Sequence, residues 1–514
     1  MTENIISRNP MTGSILKEIP RAPTSELGEV FRRSARAQAD WAKVPVKVRA
    51  KKLIQLREVL VRKADSLAET IHLENGKPEF EAYSCEILPA LELLTFCAIL
   101  APRALKNKSI SIRNPFLAYR KSYLNFWPLG TVAVIAPWNY PFFLAFGDIV
   151  MAVVAGNSVV FKPSEYTPWV GQRIQELFDE AGFPVDLVQT VQGDGSLGAA
   201  IIDHKPAKVF FTGSVRTGKA IMAQAAQYLI PVVLELGGKD AMVILPDSDL
   251  DYATSAALWG GFTNSGQVCA STERIIVHDS IADSFIEQLK EKIARVPADN
   301  WGAITMDKQK SVYDGQIRDA KDRGMTFYCG GEFNSDRTQL NPTLVGGHGI
   351  EETQIYQEET FGPVIAIAKY HTIPEAIQKA NGTKYGLLAS VIGRDVSLAE
   401  SVARELQAGT VLVNEVAFSA GLPETPWGGL KDSGFGRKHS EIGMMEFVNV
   451  RHINRPRFSF LNMKSIWWFP YTPYQREAFR AWFQLYRASP IDRLKAIPHL
   501  LWNLLQLLKR EPRI

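Results

Sequence analysis

Apolar strand-like runs alternating with helical segments predict an α/β protein with two doubly wound domains. Three observations carry this. The runs Gly130–Val134, Val159–Phe161 and Val209–Phe211 each end in a turn or polar cluster, as buried parallel strands do. The alternation extends from about residue 130 to 245 and then repeats to about 425. Residues 25–105 instead carry helical apolar spacing, as at Leu53, Leu56, Leu60 and Ala64. A β-like stretch, Ser109 to Pro128, interrupts the first domain. At 514 residues the chain has room for two or more domains with sizeable cores.

The composition, 46% hydrophobic and 22% charged, is that of a soluble globular protein. Cys85, Cys97, Cys269 and Cys329 show neither paired nor metal-ligand spacing, which argues against a disulfide framework and suits a reducing compartment. No zinc motif, repeat or low-complexity tract is present, so no metal is expected. Residues 1–10 lack a charged-then-apolar leader pattern, and a cytoplasmic chain is expected.

Five segments carry chemistry. Cys269 ends the stretch Asn264-Ser265-Gly266-Gln267-Val268-Cys269, and Glu235 stands upstream in Leu234-Glu235-Leu236-Gly237-Gly238-Lys239. The cysteine suits a nucleophile that makes a thioester, and the carboxylate suits a buried base that activates water. Pro137-Trp138-Asn139-Tyr140-Pro141 closes a strand and can present the Asn139 amide to an oxyanion. Lys162-Pro163-Ser164-Glu165 also follows a strand, and Lys162 and Glu165 can hold a ribose through its hydroxyls. Thr212-Gly213-Ser214 leads toward Gly218-Lys219 in the order strand, glycine turn, helix start, which suits a phosphate. That spacing is no GxGxxG fingerprint. Ala220 also stands where a P-loop needs Ser or Thr, which disfavours an ATPase.

In these motifs the chain resembles the aldehyde dehydrogenase superfamily over roughly residues 8–455. Glu358-Glu359-Thr360-Phe361-Gly362-Pro363, Pro426-Trp427-Gly428-Gly429 and Lys431-Asp432-Ser433-Gly434-Phe435-Gly436-Arg437 extend the resemblance in the family's order. It implies two doubly wound α/β domains with a β oligomerisation flap. The implied division is a NAD-binding domain at 1–108 and 129–236, a catalytic domain at 237–430, and a flap at 109–128 and 431–454. A homodimer or homotetramer is implied with it.

The resemblance also assigns roles. Cys269 attacks the aldehyde carbon, Asn139 and the Cys269 backbone N–H hold the oxyanion, and Glu235 activates water for hydrolysis. Relatives that pass the acyl group to coenzyme A lack that glutamate, so a free acid is expected. Cofactor contacts fall to Trp138, Lys162, Ser164, Glu165, Gly213, Ser214, Gly218, Leu236, Glu359 and Phe361. Glu165 beside a ribose hydroxyl would repel a 2′-phosphate, which favours NAD over NADP, with Lys162 able to compensate if Glu165 swings away. Tyr140, Phe143, Leu144, Phe262 and Trp427 are expected to line an apolar substrate funnel. Ser265, Trp427 and Ser440 depart from the family's commoner glutamine, phenylalanine and glycine.

Residues 455–514 lie beyond the family core. Eleven Lys or Arg against three acidic residues give this tail a net charge of about +8 and leave about −4 for the rest. It holds Trp467, Trp468, Trp482 and Trp502. In the run from Pro498 to Arg510, polar residues at 499, 503, 506 and 510 make one narrow stripe on an apolar helix. The run is too short to span a bilayer, which needs about 20 residues. It suits a peripheral seat on an anionic membrane face, with packing on a neighbouring subunit as the alternative. Nucleic acid is not expected as a partner. A membrane seat implies a lipophilic substrate, with long-chain fatty aldehydes first and terpenoid or carotenoid aldehydes second. Small soluble aldehydes with a tail that only packs, and a catalytically idle scaffold, are the remaining alternatives.

Overall fold

The computed structural model describes residues 4–114, 117–458, 467–469, 471–487 and 489–509. The chain forms two compact units, one from residues up to 106 with 125–451 and the other from 107–124 with the residues after 451. A hairpin of β1 (Asn4–Arg8) and β2 (Ile15–Pro20) opens the first unit. The strands β3 (Lys108–Ile110) and β4 (Arg120–Pro128) follow a long helical segment.

The first large sheet contains β5 (Thr131–Ile135), β6 (Ser158–Lys162), β7 (Val188–Thr190), β8 (Val209–Thr212) and β9 (Val232–Glu235), parallel in the order β9-β8-β5-β6-β7. The second contains β10 (Asp240–Ile244), β11 (Thr272–His278), β12 (Thr326–Cys329), β13 (Thr343–Gly346), β14 (Val364–Tyr370), β15 (Leu388–Ile392) and β16 (Thr410–Val413). Its order is β12-β13-β14-β11-β10-β15-β16, parallel except at β12. The expected α/β architecture with two parallel sheets is therefore present. Strands β6 and β15 are buried along their whole length, as strands covered by helices on both faces must be.

Two further strands come late in the chain. β17 (Gly434–Phe435) pairs antiparallel with the end of β9, and β18 (Val448–Pro456) joins a third sheet in the order β18-β4-β3. This corrects the expected flap boundary. Residues 431–447 do not belong to the small antiparallel sheet, because Gly434 pairs with Glu235 and the helix Ser440–Met445 packs on the helix Leu88–Ala104. Ser440 has φ +57°, which explains why a glycine suits this place.

The helix Phe143–Ala155 is apolar apart from Asp148 and almost wholly buried, and it needs special termination. Gly156 ends it at φ +102°, where a Cβ would meet the Pro128 ring and the Arg49 guanidinium. Arg49 is 4% exposed and donates to Val154 O at 2.9 Å, Ala155 O at 3.3 Å and Val44 O at 2.7 Å. It satisfies the last carbonyls of a buried helix, and burial pulls its pKa down to about 10.

The second unit holds a helical hairpin. Thr472 and Gln475 form a capping box at the start of the helix Pro473–Gln484, and the helix Pro490–Lys509 returns against it through Ala478, Ala481, Trp482 and Leu500. The expected polar stripe is only partly a solvent face. Asn503 is 4% exposed and donates to His499 O at 2.8 Å, because it shares the inward face with Ala496 and Leu500. Residue 510 lies outside the described residues. Leu494, Leu501, Trp502 and Leu505 instead point outward. Among the described residues the run Glu79–Ala104 alone is long and apolar enough to cross a bilayer, and half of it is buried in the protein.

Replacing Arg49 by Met should leave buried carbonyls unpaired and cost about 2–4 kcal/mol. Thermal unfolding followed by circular dichroism checks this, and an unchanged midpoint would refute the capping role.

Candidate active site

Cys269 is set by a chain reversal that few sequences tolerate. Asn264, Ser265 and Gly266 follow the helix Leu250–Phe262 with φ +49°, +53° and +69°. Asn264 and Ser265, non-glycine residues in the left-handed region, store strain and persist only when their surroundings hold them. Glu81 accepts from the Asn264 N–H at 2.8 Å and the Thr263 hydroxyl at 3.2 Å, and Ser265 Oγ donates to Gly302 O at 2.9 Å. Gln267 donates to Ala303 O at 2.9 Å and accepts from the Thr305 N–H at 3.0 Å. A Cβ on Gly238 would stand 2.3 Å from Cys269 O, so the Gly237-Gly238 pair lets this loop close on the end of β9.

Glu235 is the last residue of β9, opposite Thr212 of β8 on one side and Gly434 of β17 on the other. It is 2% exposed, and neither carboxylate oxygen has a hydrogen-bond partner within the described residues. Its carboxylate faces the Cys269 thiol and the Trp427 side chain. Burial raises its pKa, and the Lys438 ammonium opposes that rise. Burial and the Glu235 charge together push the Cys269 thiol well above its ordinary range.

Asn139 lies across from the cysteine loop. Its Nδ2 donates to Gln267 O at 3.0 Å, which uses one of its two amide protons and leaves the second for another acceptor. The turn is pinned from below. Lys77 donates to Asn139 O at 2.9 Å and pairs with Glu86 at 2.6 Å, both side chains fully buried. Glu86 also accepts from the Phe142 and Phe143 N–H groups at 2.8 and 3.2 Å, and Asn75 donates to Trp138 O at 2.8 Å.

Two cavities meet at Cys269, which alone among the described residues lines both. The smaller, about 220 Å³, is lined by Trp138, Asn139, Gly213, Ser214, Glu235, Leu236, Glu359 and Phe361 among others. Trp138 and Phe361 meet edge to face at 5.4 Å across it. A second buried pair, Lys239 with Glu273, holds this wall: Glu273 accepts from the Thr360 and Phe361 N–H groups, each at 2.8 Å. Glu359 accepts from the Gly238 N–H at 3.1 Å, and burial followed by the Glu273 charge pushes its pKa to about 8. Ser214 caps the helix Val215–Ala226, and a Cβ on Gly218 would stand 2.5 Å from Leu236. Gly218, Lys162, Ser164 and Glu165 do not line this cleft. Lys162 sits at the C-terminal end of β6, donating to Pro163 O at 2.8 Å and to Glu165 at 3.4 Å.

The larger cavity, about 410 Å³, takes Tyr140, Phe143, Leu144 and Trp427 from the expected funnel. Phe262 is a correction. It is 3% exposed in the core of the second sheet, with its ring edge to face against Trp301, because it points inward from the last position of its helix. Trp259 and Thr263 line the cavity from that segment instead. Lys438, Asp148 and His439 also line it, and none is singled out by a sequence motif. His439 Nδ1 has no hydrogen-bond partner within the described residues, and burial and then Lys438 pull the ring's pKa down to about 3. Among the described residues no cluster of His, Cys, Asp or Glu is placed to hold a metal ion.

A thiol and a buried carboxylate where two clefts join define an enzyme site. The sequence profile of the aldehyde dehydrogenase family matches residues 1–453, and the chain belongs to that family. It is 38% identical over 485 residues to a 4,4′-diapolycopene aldehyde oxidase of Methylomonas sp., covering 93% of this chain and 90% of that protein. It is 36% identical over 458 residues to a putative NADP(+) succinate-semialdehyde dehydrogenase of Mycolicibacterium smegmatis, covering 87% of each. Among solved structures, a betaine aldehyde dehydrogenase of Staphylococcus aureus in complex with NAD+ superposes with a TM-score of 0.85 at 30% identity, covering 91% of this chain and 96% of that one.

Glu235→Gln removes the charge that raises the Cys269 pKa, so Cys269 should alkylate faster with iodoacetamide at neutral pH. Peptide mass spectrometry separates Cys269 from Cys85. An unchanged rate would mean that Glu235 does not control the thiol.

Proposed function

We propose that this aldehyde dehydrogenase oxidises a lipophilic aldehyde to its carboxylic acid with NAD, through a thioester on Cys269. The observation that carries this reading is that Cys269 joins the two clefts. A reactant in the larger one and a cofactor in the smaller can both reach its sulfur. The free amide proton of Asn139 and the Cys269 N–H suit the oxyanion formed when sulfur bonds to the aldehyde carbon. Glu235, unpartnered and beside the thiol, can take a proton from water attacking the thioester.

The smaller cleft fits a nicotinamide nucleotide. It is walled by two aromatic rings, and its Gly213 turn is so tight that a Cβ would stand 2.6 Å from the Phe211 ring. Trp138, Ser214, Leu236, Glu359 and Phe361 would hold the cofactor there, and Lys162 and Glu165 would meet the adenosine ribose at the end of β6. When bound, NAD would supply the hydride acceptor needed to oxidise an aldehyde held on Cys269. The NAD+ complex of the betaine aldehyde dehydrogenase supports this choice. So does the Glu165 carboxylate, which lies 3.4 Å from the Lys162 ammonium and adds a negative charge that disfavours a 2′-phosphate.

The larger cavity favours an apolar substrate. Leu88, Phe143, Leu144, Trp259 and Trp427 wall it, and Glu92 and Leu422 are shared with an open groove that continues along the helix Leu88–Ala104 past Phe96 and Ile99 to Arg103. From Leu88 to Arg103 the helix rises about 22 Å, which suits a long extended chain. The relative named for a diapolycopene aldehyde favours a polyene as the second reading, beside a fatty aldehyde. The tail supports a membrane seat. Trp468, Phe469, Tyr486 and Trp502 are exposed on it beside its basic residues. A homo-oligomer completes the reading.

Three outcomes test it. Glu235→Gln should reduce NAD once per site and then stall, with the acyl group found on Cys269 by mass spectrometry; full turnover would exclude Glu235 as the base. Across a series of saturated aldehydes, kcat/KM should rise with chain length, since each buried methylene contributes up to about 0.8 kcal/mol. Ile99→Glu should flatten only the long end of that series. A flat wild-type series would leave the aldehyde chemistry standing and remove the lipophilic substrate.

A further inference from the structure

We propose that the buried Lys438–Asp148 pair controls the charge of Glu235, which makes Lys438 a positioning residue for thioester hydrolysis. The inference rests on Glu235 being the base. Lys438 and Asp148 are each about 4% exposed and pair at 2.7 Å. Lys438 also donates to Thr212 Oγ1 at 2.7 Å. Thr212 is the β8 residue in register with Glu235 of β9, so the ammonium is anchored on the strand beside the carboxylate. The backbone of Lys438 is fixed as well. It exchanges both hydrogen bonds with Trp427, whose side chain Glu235 faces.

Charge and geometry agree. Among the described residues neither Glu235 oxygen has a full hydrogen bond, and the Cys269 thiol and Trp427 side chain only face it, so its ionisation depends on these two and on the fields of its charged neighbours. These come from every side. Lys438 lowers the Glu235 pKa and Asp148 on the helix Phe143–Ala155 raises it. Cys269 faces it from the cysteine loop, and Glu359 and Asp240, both held above the ordinary carboxylate range, lie around the same loop. His439, with its pKa near 3, is neutral at working pH and adds no charge. Lys438 is thus the cation that favours the ionised base, and Asp148 tempers it. A carboxylate whose pKa falls gains base function at lower pH.

The step affected is the second half of the reaction. Water's oxygen bonds to the thioester carbon, the carbon–sulfur bond breaks, and the proton Glu235 takes from water passes to the departing sulfur. It can be isolated without the cofactor. p-Nitrophenyl acetate transfers its acetyl group to the Cys269 sulfur, releasing nitrophenolate, and the acetyl thioester then hydrolyses. The first phase counts folded, reactive sites, and the second reads Glu235.

The deacylation rate should be followed against pH for wild type, Lys438→Gln, Lys438→Arg, Asp148→Asn and Glu235→Gln. Lys438→Gln should keep the first phase, move the acid limb up by about one pH unit, and so slow deacylation by up to about tenfold on the acid side of the limb. Asp148→Asn should move the limb the opposite way, and Lys438→Arg should restore most of the rate. A merely structural role lowers the first-phase amplitude or slows both phases with the limb fixed. Limbs that stay fixed, or that move the same way in both variants, overturn the proposal. Glu235→Gln separates the two readings: if it deacylates like wild type, the base assignment itself is wrong, whereas its stalling beside unmoved Lys438 and Asp148 limbs sinks only the control by the pair.

Discussion

Three loops must meet at one sulfur, and three buried lysine–carboxylate pairs hold them there. Lys77 with Glu86 fixes the Asn139 turn. Lys239 with Glu273 fixes the segment from Glu359 to Phe361. Lys438 with Asp148 fixes the strand end behind Glu235. A buried ion pair adds little net stability over a well-packed apolar replacement, because desolvation cancels most of the attraction. What these pairs supply is direction. Each lysine also donates to a second group on the loop or strand it serves: Asn139 O, Thr360 Oγ1 or Thr212 Oγ1. Removing one partner would leave a charge stranded in the core, so the loops cannot drift without a large penalty.

Local chemistry was legible in the sequence and long-range pairing was not. Cys269, Glu235, Asn139, Trp138 and Phe361 stand in contiguous motifs where a strand end, a glycine pair or a proline turn announces the geometry. Glu81 and Glu86 carry no such mark. They sit in a helical stretch where acidic residues ordinarily face water, and their partners lie up to 183 residues away. Lys438 is equally silent, since its role depends on Asp148, which is 290 residues distant. Phe262 shows the limit of pattern reading within one element. Phe262 ends its helix with its ring turned into the core against Trp301, and Trp259, one turn earlier, reaches the cavity instead.

The same contrast runs through the fold. The strands were readable because continuous Val, Ile and Phe runs suit strands buried on both faces. The segment 431–447 was not, because β17 is only two residues long and its place beside β9 is decided by close packing. Gly434, at φ +110°, has no room for a side chain against Leu234 O. In the tail, charge and tryptophan content were visible from composition, but the inward turn of Asn503 required its partner helix to be known.

Glu235 brings these threads together. A buried carboxylate without hydrogen bonds is costly, and proteins ordinarily satisfy such groups directly. Donors stronger than the Cys269 thiol and Trp427 side chain that face it would make a weaker base and occupy the lone pairs that water needs. Placing the compensating ammonium one strand away, on Thr212, avoids both effects. Its field reaches the carboxylate from the neighbouring strand, where partly buried charges act more strongly than in water. The oxygens stay open toward Cys269. Asp148 then keeps the lysine itself from being an uncompensated charge. In the proposed role of Glu235 as base, the arrangement separates stabilising the carboxylate from occupying it, which is what water activation beside a thiol would require.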